Sequence, residues 1–168
     1  MSATPPEAKP EYSRAPPQST EPVPISLGLL AAGLIGGLLL LVAEFTPLYN
    51  QDSATSRVPL HTMHTGSHHA YALIPVGLLA IVLTVSVSRS ASRPALLALG
   101  ALGILAVLIA LIGDLPAADG HGFVRGFVEV KDVPQIGFYL ETLGAALLVV
   151  TSGAGLMLTS PARARAAA

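Results

Sequence analysis

An all-α integral membrane fold, a bundle of four spanning helices with a short β element in its outer loops, is what this sequence predicts. Three observations lead there. Of 168 residues, 52% are hydrophobic and only 11% charged, less than half the charge of about 25% that covers an ordinary soluble domain. The charges are excluded from four apolar stretches, each close to the ~20 helical residues that a ~30 Å hydrocarbon core requires. The histidines and seven of the eight aromatics then gather on one side of the resulting arrangement.

Each span follows from its own residues. The first run, Ile25 to Ala43, ends on Glu44, so the span is placed at about 25–44. Its apolar core is longer than the 7–15 residues typical of a signal peptide, and 24 residues precede it. The second, AYALIPVGLLAIVLTVSV from Ala70 to Val87, gives a span at about 70–88. The third, ALLALGALGILAVLIALI from Ala95 to Ile112, gives about 94–113, with Pro94 suited to a first helical turn. The fourth begins near Phe138, carries Glu141 in its first turn and runs to Leu158, giving about 138–158. None has a polar stripe at helical period, so surface amphipathic helices are excluded.

The spans form one domain at 25–159, between a Pro-, Ser- and Glu-rich tail at 1–24, too poor in aliphatic residues to order itself, and a short tail at 160–168. With both termini and the short loop at 88–93 in the cytoplasm, Lys9, Arg14, Arg89, Arg93, Arg163 and Arg165 lie inside, and Arg57, Arg125 and Lys131 lie outside. Six against three follows the positive-inside rule, and the expected location is the plasma membrane. Phe45, Tyr49, Tyr71, Phe123, Phe127, Phe138 and Tyr139 then stand on the outer side, where aromatic rings favour the interface.

Packing between spans is expected at small residues four apart. Gly33-x-x-x-Gly37 in the first span is the leading pair, overlapped by Ala32-x-x-x-Gly36, with Ala106-x-x-x-Ala110 and Thr151-x-x-x-Gly155 in the third and fourth. The contact expected of Gly33 and Gly37 is within the chain, with homodimerisation through the first helix as the alternative.

Three outer features carry candidate chemistry. Glu44, Asp114 and Glu141 sit where apolar runs meet outer loops, Glu44 and Asp114 at helix C-termini where the macrodipole disfavours a carboxylate. Salt bridges to Arg57 and Arg125, Lys131 or the loop histidines would account for them; the functional alternative is an outward-facing ion site. Second, His61, His64, His68 and His69 fall within nine residues before the second span. Imidazole suits zinc and copper, so this tract is the candidate metal set, although Thr65-Gly66-Ser67 argues against a helix there. Third, Phe123 to Lys131 reads as one short strand, and a lone strand needs a partner, which the first outer loop alone could supply.

Other classes are excluded by residue. The chain has no cysteine, which removes disulfides and thiolate chemistry. A formal net charge of −1 gives nucleic acid nothing to bind. No nucleophile is paired with a base, so no enzyme is expected, and no cofactor beyond zinc or copper at the histidines. The stretches Gly113-Asp-Leu-Pro116 and Gly137-Phe-Tyr-Leu-Glu-Thr-Leu-Gly144 resemble uncharacterised four-helix integral membrane proteins of actinobacterial type. The resemblance covers helices 3 and 4 and implies no activity. The leading functional expectation is a structural or accessory membrane protein that meets a membrane-protein partner or its own copy in the bilayer. A transporter or channel component with an outward acidic site, and an extracytoplasmic metal-binding or pH-sensing protein, are the alternatives.

Overall fold

The computed structural model describes residues 27–53, 61–90, 92–118, 120–124 and 128–159. The chain is mostly helical, with a small antiparallel sheet. Its long helices are α1 (Leu27–Ala43), α3 (Leu73–Ser90), α4 (Arg93–Leu108) and α6 (Ile136–Leu158). Two short ones, α2 (Thr65–His69) and α5 (Leu115–Ala118), lie in the outer connections. A wide π-helical turn, Ile109–Asp114, joins α4 to α5. Three helical stretches, Leu73–Ser90, Arg93–Ala117 and Ile136–Leu158, are long and apolar enough to cross a membrane, and α1 is a shorter apolar helix.

The surface supports that reading. Large aliphatic side chains point outward from every long helix, among them Ile35, Leu38, Leu78, Val82, Leu97, Ile104, Leu143 and Val150. The interior holds Leu40, Leu99 and Leu148 with Ala80, Ala106 and Ala145, and also polar residues: Thr84, Thr151, Ser152 and three carboxylates. An apolar exterior around a small-residue, partly polar interior is the packing expected where lipid replaces water.

Helix α1 packs on α3 and α6, and α4 also packs on α3 and α6. Glycines set these crossings. A Cβ on Gly36 would lie 3.0 Å from the Gly144 carbonyl oxygen, and one on Gly144 2.9 Å from that of Gly36. Gly37 faces Gly77 and Ile81 of α3, and Gly33 faces Thr84 of α3 and Thr151 of α6. The small residues of α1 are thus occupied within the chain, and Gly36, the partner of α6, joins Gly33 and Gly37. Ser152 Oγ, buried, donates to the Leu96 carbonyl at 2.7 Å and ties α6 to α4. At the opposite end from the sheet, Arg93 donates to the Thr159 carbonyl at 2.7 Å.

The connections at the end opposite Arg93 form one sheet in the order β2-β1-β4-β3, with β1 at Pro47–Ser53, β2 at His61–His64, β3 at His121–Val124 and β4 at Val128–Pro134. All pairings are antiparallel. The central pair joins the two loops, Tyr49 opposite Pro134 through Ser53 opposite Val130. The single strand expected over Phe123–Lys131 is instead two strands, with Phe123 opposite Glu129. One strand of mixed character becomes two because β1 offers an edge to β4, and β4 in turn templates β3.

Helix limits also differ from expectation. The second long helix starts at Leu73 rather than residue 70, because Ala70 and Tyr71 turn the chain with φ of 51° and 61°. The third runs beyond residue 113, so Asp114 lies inside a helical segment rather than at its end. The fourth starts at Ile136, which places Glu141 in its second turn.

Candidate functional site

The site is assembled at the sheet end of the helices, from three carboxylates and two imidazoles.

Asp114 is positioned by the π turn. Buried residues along α4 recur as Leu96, Leu99, Gly103, Ala106 and Ala110, alternating three and four apart. At 3.6 residues per turn Asp114 lies five turns beyond Leu96 and shares this inward face; the wide turn at Ile109–Asp114 leaves it fully buried and Gly113 exposed. Pro116 supplies the local cause. It has no N–H for the Ile112 carbonyl, and its ring would collide with that carbonyl in regular helix. Such turns recur at functional sites.

The histidines arrive on α2. Thr65-Gly66-Ser67, expected to break a helix, instead begins one, because tertiary bonds hold its start. Thr65 N–H donates to the Thr46 carbonyl at 3.1 Å, and Gly66 N–H to the Glu44 carbonyl at 2.9 Å. Gly66 fits only as glycine, since a Cβ would sit 2.6 Å from the Tyr71 ring and 2.7 Å from the Glu44 carbonyl. The left-handed pair Ala70 and Tyr71 then turns the chain into α3.

His69 Nε2 lies 3.0 Å from Asp114 Oδ2, to which it donates, and 2.8 Å from Oδ1. Oδ1 is left without a hydrogen bond. His68 Nε2 is 3.4 Å from the same Oδ1. The imidazoles meet edge to face, their centroids 4.9 Å apart, and Tyr49 of β1 meets the His68 ring in the same way at 6.4 Å. His69 is mostly enclosed, with 11% of its side chain exposed, whereas His68 at 28% opens to the outside.

Glu141 reaches in from α6. It is fully buried, its Oε2 is 3.8 Å from His69 Nε2, and its carboxyl shares a side-chain hydrogen bond with Asp114 while accepting from no N–H or hydroxyl donor. Glu44 is used differently. Its Oε1 accepts the N–H of Leu73, the first residue of α3, leaving Oε2 unpartnered. The acid at the end of α1 therefore caps another helix, which offsets the unfavourable dipole position expected for it.

Of the predicted residues, Asp114, Glu141, His68 and His69 converge, with Glu44 beside them at the start of α3. His61 and His64 lie on β2, exposed, and among the described residues the metal-ligating group is His68, His69 and Asp114, with ligand atoms within 4.8 Å of one another. Arg57 and Arg125, the expected partners of the acids, lie outside the described residues. The counter-groups of Asp114 are imidazoles. Tyr49 and Gly66 were not singled out as site residues; Gly66 was legible only as a turn former. Outside the helices, burial and the nearby Asp132 carboxylate raise the Tyr49 hydroxyl above its usual pKa of 10.0.

Comparison with protein-family models, with curated proteins and with solved structures finds no match to this chain, so its function is read from the geometry of this centre.

Proposed function

We propose that this chain is a four-span plasma-membrane protein with both termini in the cytoplasm, acting as an accessory membrane component that takes up a cation at its outer end. The four-helix bundle reading rests on α1 joining the three longer apolar helices, and the orientation on the distribution of Lys and Arg. The observation that carries the functional reading is the state of Glu141. A fully buried acid that no N–H or hydroxyl group serves, beside a second buried acid at Asp114, must share a proton with it or take up another cation.

Uptake without passage is favoured over transport. The acids and histidines of the site collect at one end, and the apolar stretches of all four helices carry no ionisable group between that end and the opposite loop. A conducting relay needs such groups within the membrane.

The test is Glu141→Gln in the full chain, solubilised in mild detergent and freed of metal by chelation. A site built for a cation trades stability for binding. Removing one of two neighbouring acids, and adding an amide that donates to Asp114, should then raise stability by about 1–3 kcal/mol. A lower or unchanged melting temperature would show that the carboxylate serves the fold, and the reading fails.

A further inference from the structure

We propose that His68, His69, Asp114 and Glu141 form a site for one divalent first-row transition-metal ion, zinc or copper(II), loaded from the outer face past His68. The proposal rests on the cation reading above and names the cation.

Ligand type comes first. Two imidazole nitrogens and two carboxylates are the donor set of zinc and copper(II) sites. Magnesium and calcium take oxygen ligands and have no use for two imidazoles. The chain has no cysteine, so no thiolate competes for the ion.

Geometry comes second. Ligand atoms ~2.0–2.1 Å from a tetrahedral ion lie about 3.3 Å from one another. The separations here are 2.8 Å for His69 to Asp114, 3.4 Å for His68 to Asp114 and 3.8 Å for His69 to Glu141. They bracket the tetrahedral edge, and shifts of a few tenths of an ångström at the side chains bring them to it. In the absence of an ion, His69 Nε2 hydrogen-bonds Asp114 instead.

Burial supplies an independent pointer. Glu141 brings two buried oxygens that no N–H or hydroxyl donor serves next to this group, and Asp114 Oδ1 faces both imidazoles. A metal ion satisfies such lone pairs at once. His68 is the exposed edge of the site and marks its entrance. Glu44 stays out of the ligand set through the oxygen that accepts from Leu73, so it adds negative potential without coordinating. The ring of Tyr49 against His68 restricts that imidazole before metal arrives.

The experiment uses the full chain in detergent, stripped with chelator and titrated with Zn²⁺, with Co²⁺ as the optical probe. One equivalent of Zn²⁺ should bind and raise the melting temperature, and Co²⁺ should give visible ligand-field bands that Zn²⁺ abolishes. His68→Gln, at an exposed position that leaves the core intact, should weaken Zn²⁺ binding at least about 10-fold, the loss that even outer-shell partners of a metal cause. Asp114→Asn should remove it. The double substitution H61A/H64A on β2 should leave it unchanged. Absence of Zn²⁺ binding, binding indifferent to His68→Gln, binding lost in H61A/H64A, or an equal response to Mg²⁺ would each overturn the proposal. If Zn²⁺ fails to bind while Glu141→Gln still stabilises the chelated protein, the metal assignment falls and the cation reading stands. If both fail, both fall.

Discussion

His69 Nε2 lies 2.8 Å from a carboxylate oxygen of Asp114, a contact between residues 45 apart in sequence that fastens the first outer loop to the top of the third long helix. Both sides are enclosed, Asp114 completely. Removing one partner leaves the other's buried polar group unsatisfied. His69→Ala should therefore cost about 1–3 kcal/mol in the metal-free protein, measured by thermal unfolding in detergent. A loss under about 1 kcal/mol, the level of a surface pair, would mean that α2 is held by its backbone bonds alone.

Pro116 controls the same contact from within the helix. Replacing it with Ala returns an N–H to the Ile112 carbonyl and favours regular α-helix through Ile109–Asp114. Asp114 then stays on the inward face but at a different angle about the helix axis, which disturbs its contact with His69 on α2. In Pro116→Ala, the amides of residues 66–69 should exchange with deuterium about 10-fold faster, equivalent to about 1.4 kcal/mol of local stability. Unchanged exchange would place the cause of the π turn elsewhere.

Glycines in the long helices should divide sharply. A Cβ at Gly144 would press on the Gly36 carbonyl at 2.9 Å, a backbone atom that cannot swing aside, so Gly144→Val should prevent α1 and α6 from docking. Gly153 has nothing within 4 Å of its would-be Cβ. Gly153→Ala should be neutral or stabilising, by up to about 1 kcal/mol from helix propensity. Melting temperatures of the two variants in the same detergent decide it.

Tyr49 should make the outer sheet sensitive to alkali. Its folded pKa is raised by burial and then by Asp132, so the folded state keeps the phenolic proton longer than the unfolded state does. The associated stability is fully present below the unfolded value of 10.0 and is lost as pH rises through the higher folded value. Ultraviolet titration should show one late tyrosine that Tyr49→Phe removes and Asp132→Asn shifts downward. If Asp132→Asn leaves that tyrosine where it was, the carboxylate has no part in it.

The proposed orientation is open to single-cysteine labelling, because the chain has no cysteine of its own. Glu129→Cys on β4 should react with an impermeant maleimide on intact cells, and Ser90→Cys only after permeabilisation. The reverse pattern would invert the topology.

Much of the architecture was legible in one dimension. Charge exclusion marked the apolar helices because an ionised side chain in hydrocarbon costs several kcal/mol, a local property that each stretch declares for itself. Gly33 and Gly37 were legible as close-approach positions for the same reason: the missing side chain is itself the signal. Limits were less visible. Ala70 and Tyr71 carry no turn signature, and their left-handed conformation is imposed by the backbone bonds that anchor α2. The hairpin at 121–134 read as one strand because pairing with β1 is a long-range event.

By itself, then, the sequence determined that the helices are apolar, that small residues line them, and that acids and histidines collect toward one end. It could not determine which acid meets which histidine. That was decided by the packing that brings the imidazoles of α2 to the buried Asp114, and by the Thr46 and Glu44 carbonyls that seat α2. Composition is a sum over residues and survives any fold. A site is a coincidence of directions, and directions exist only once the helices have packed.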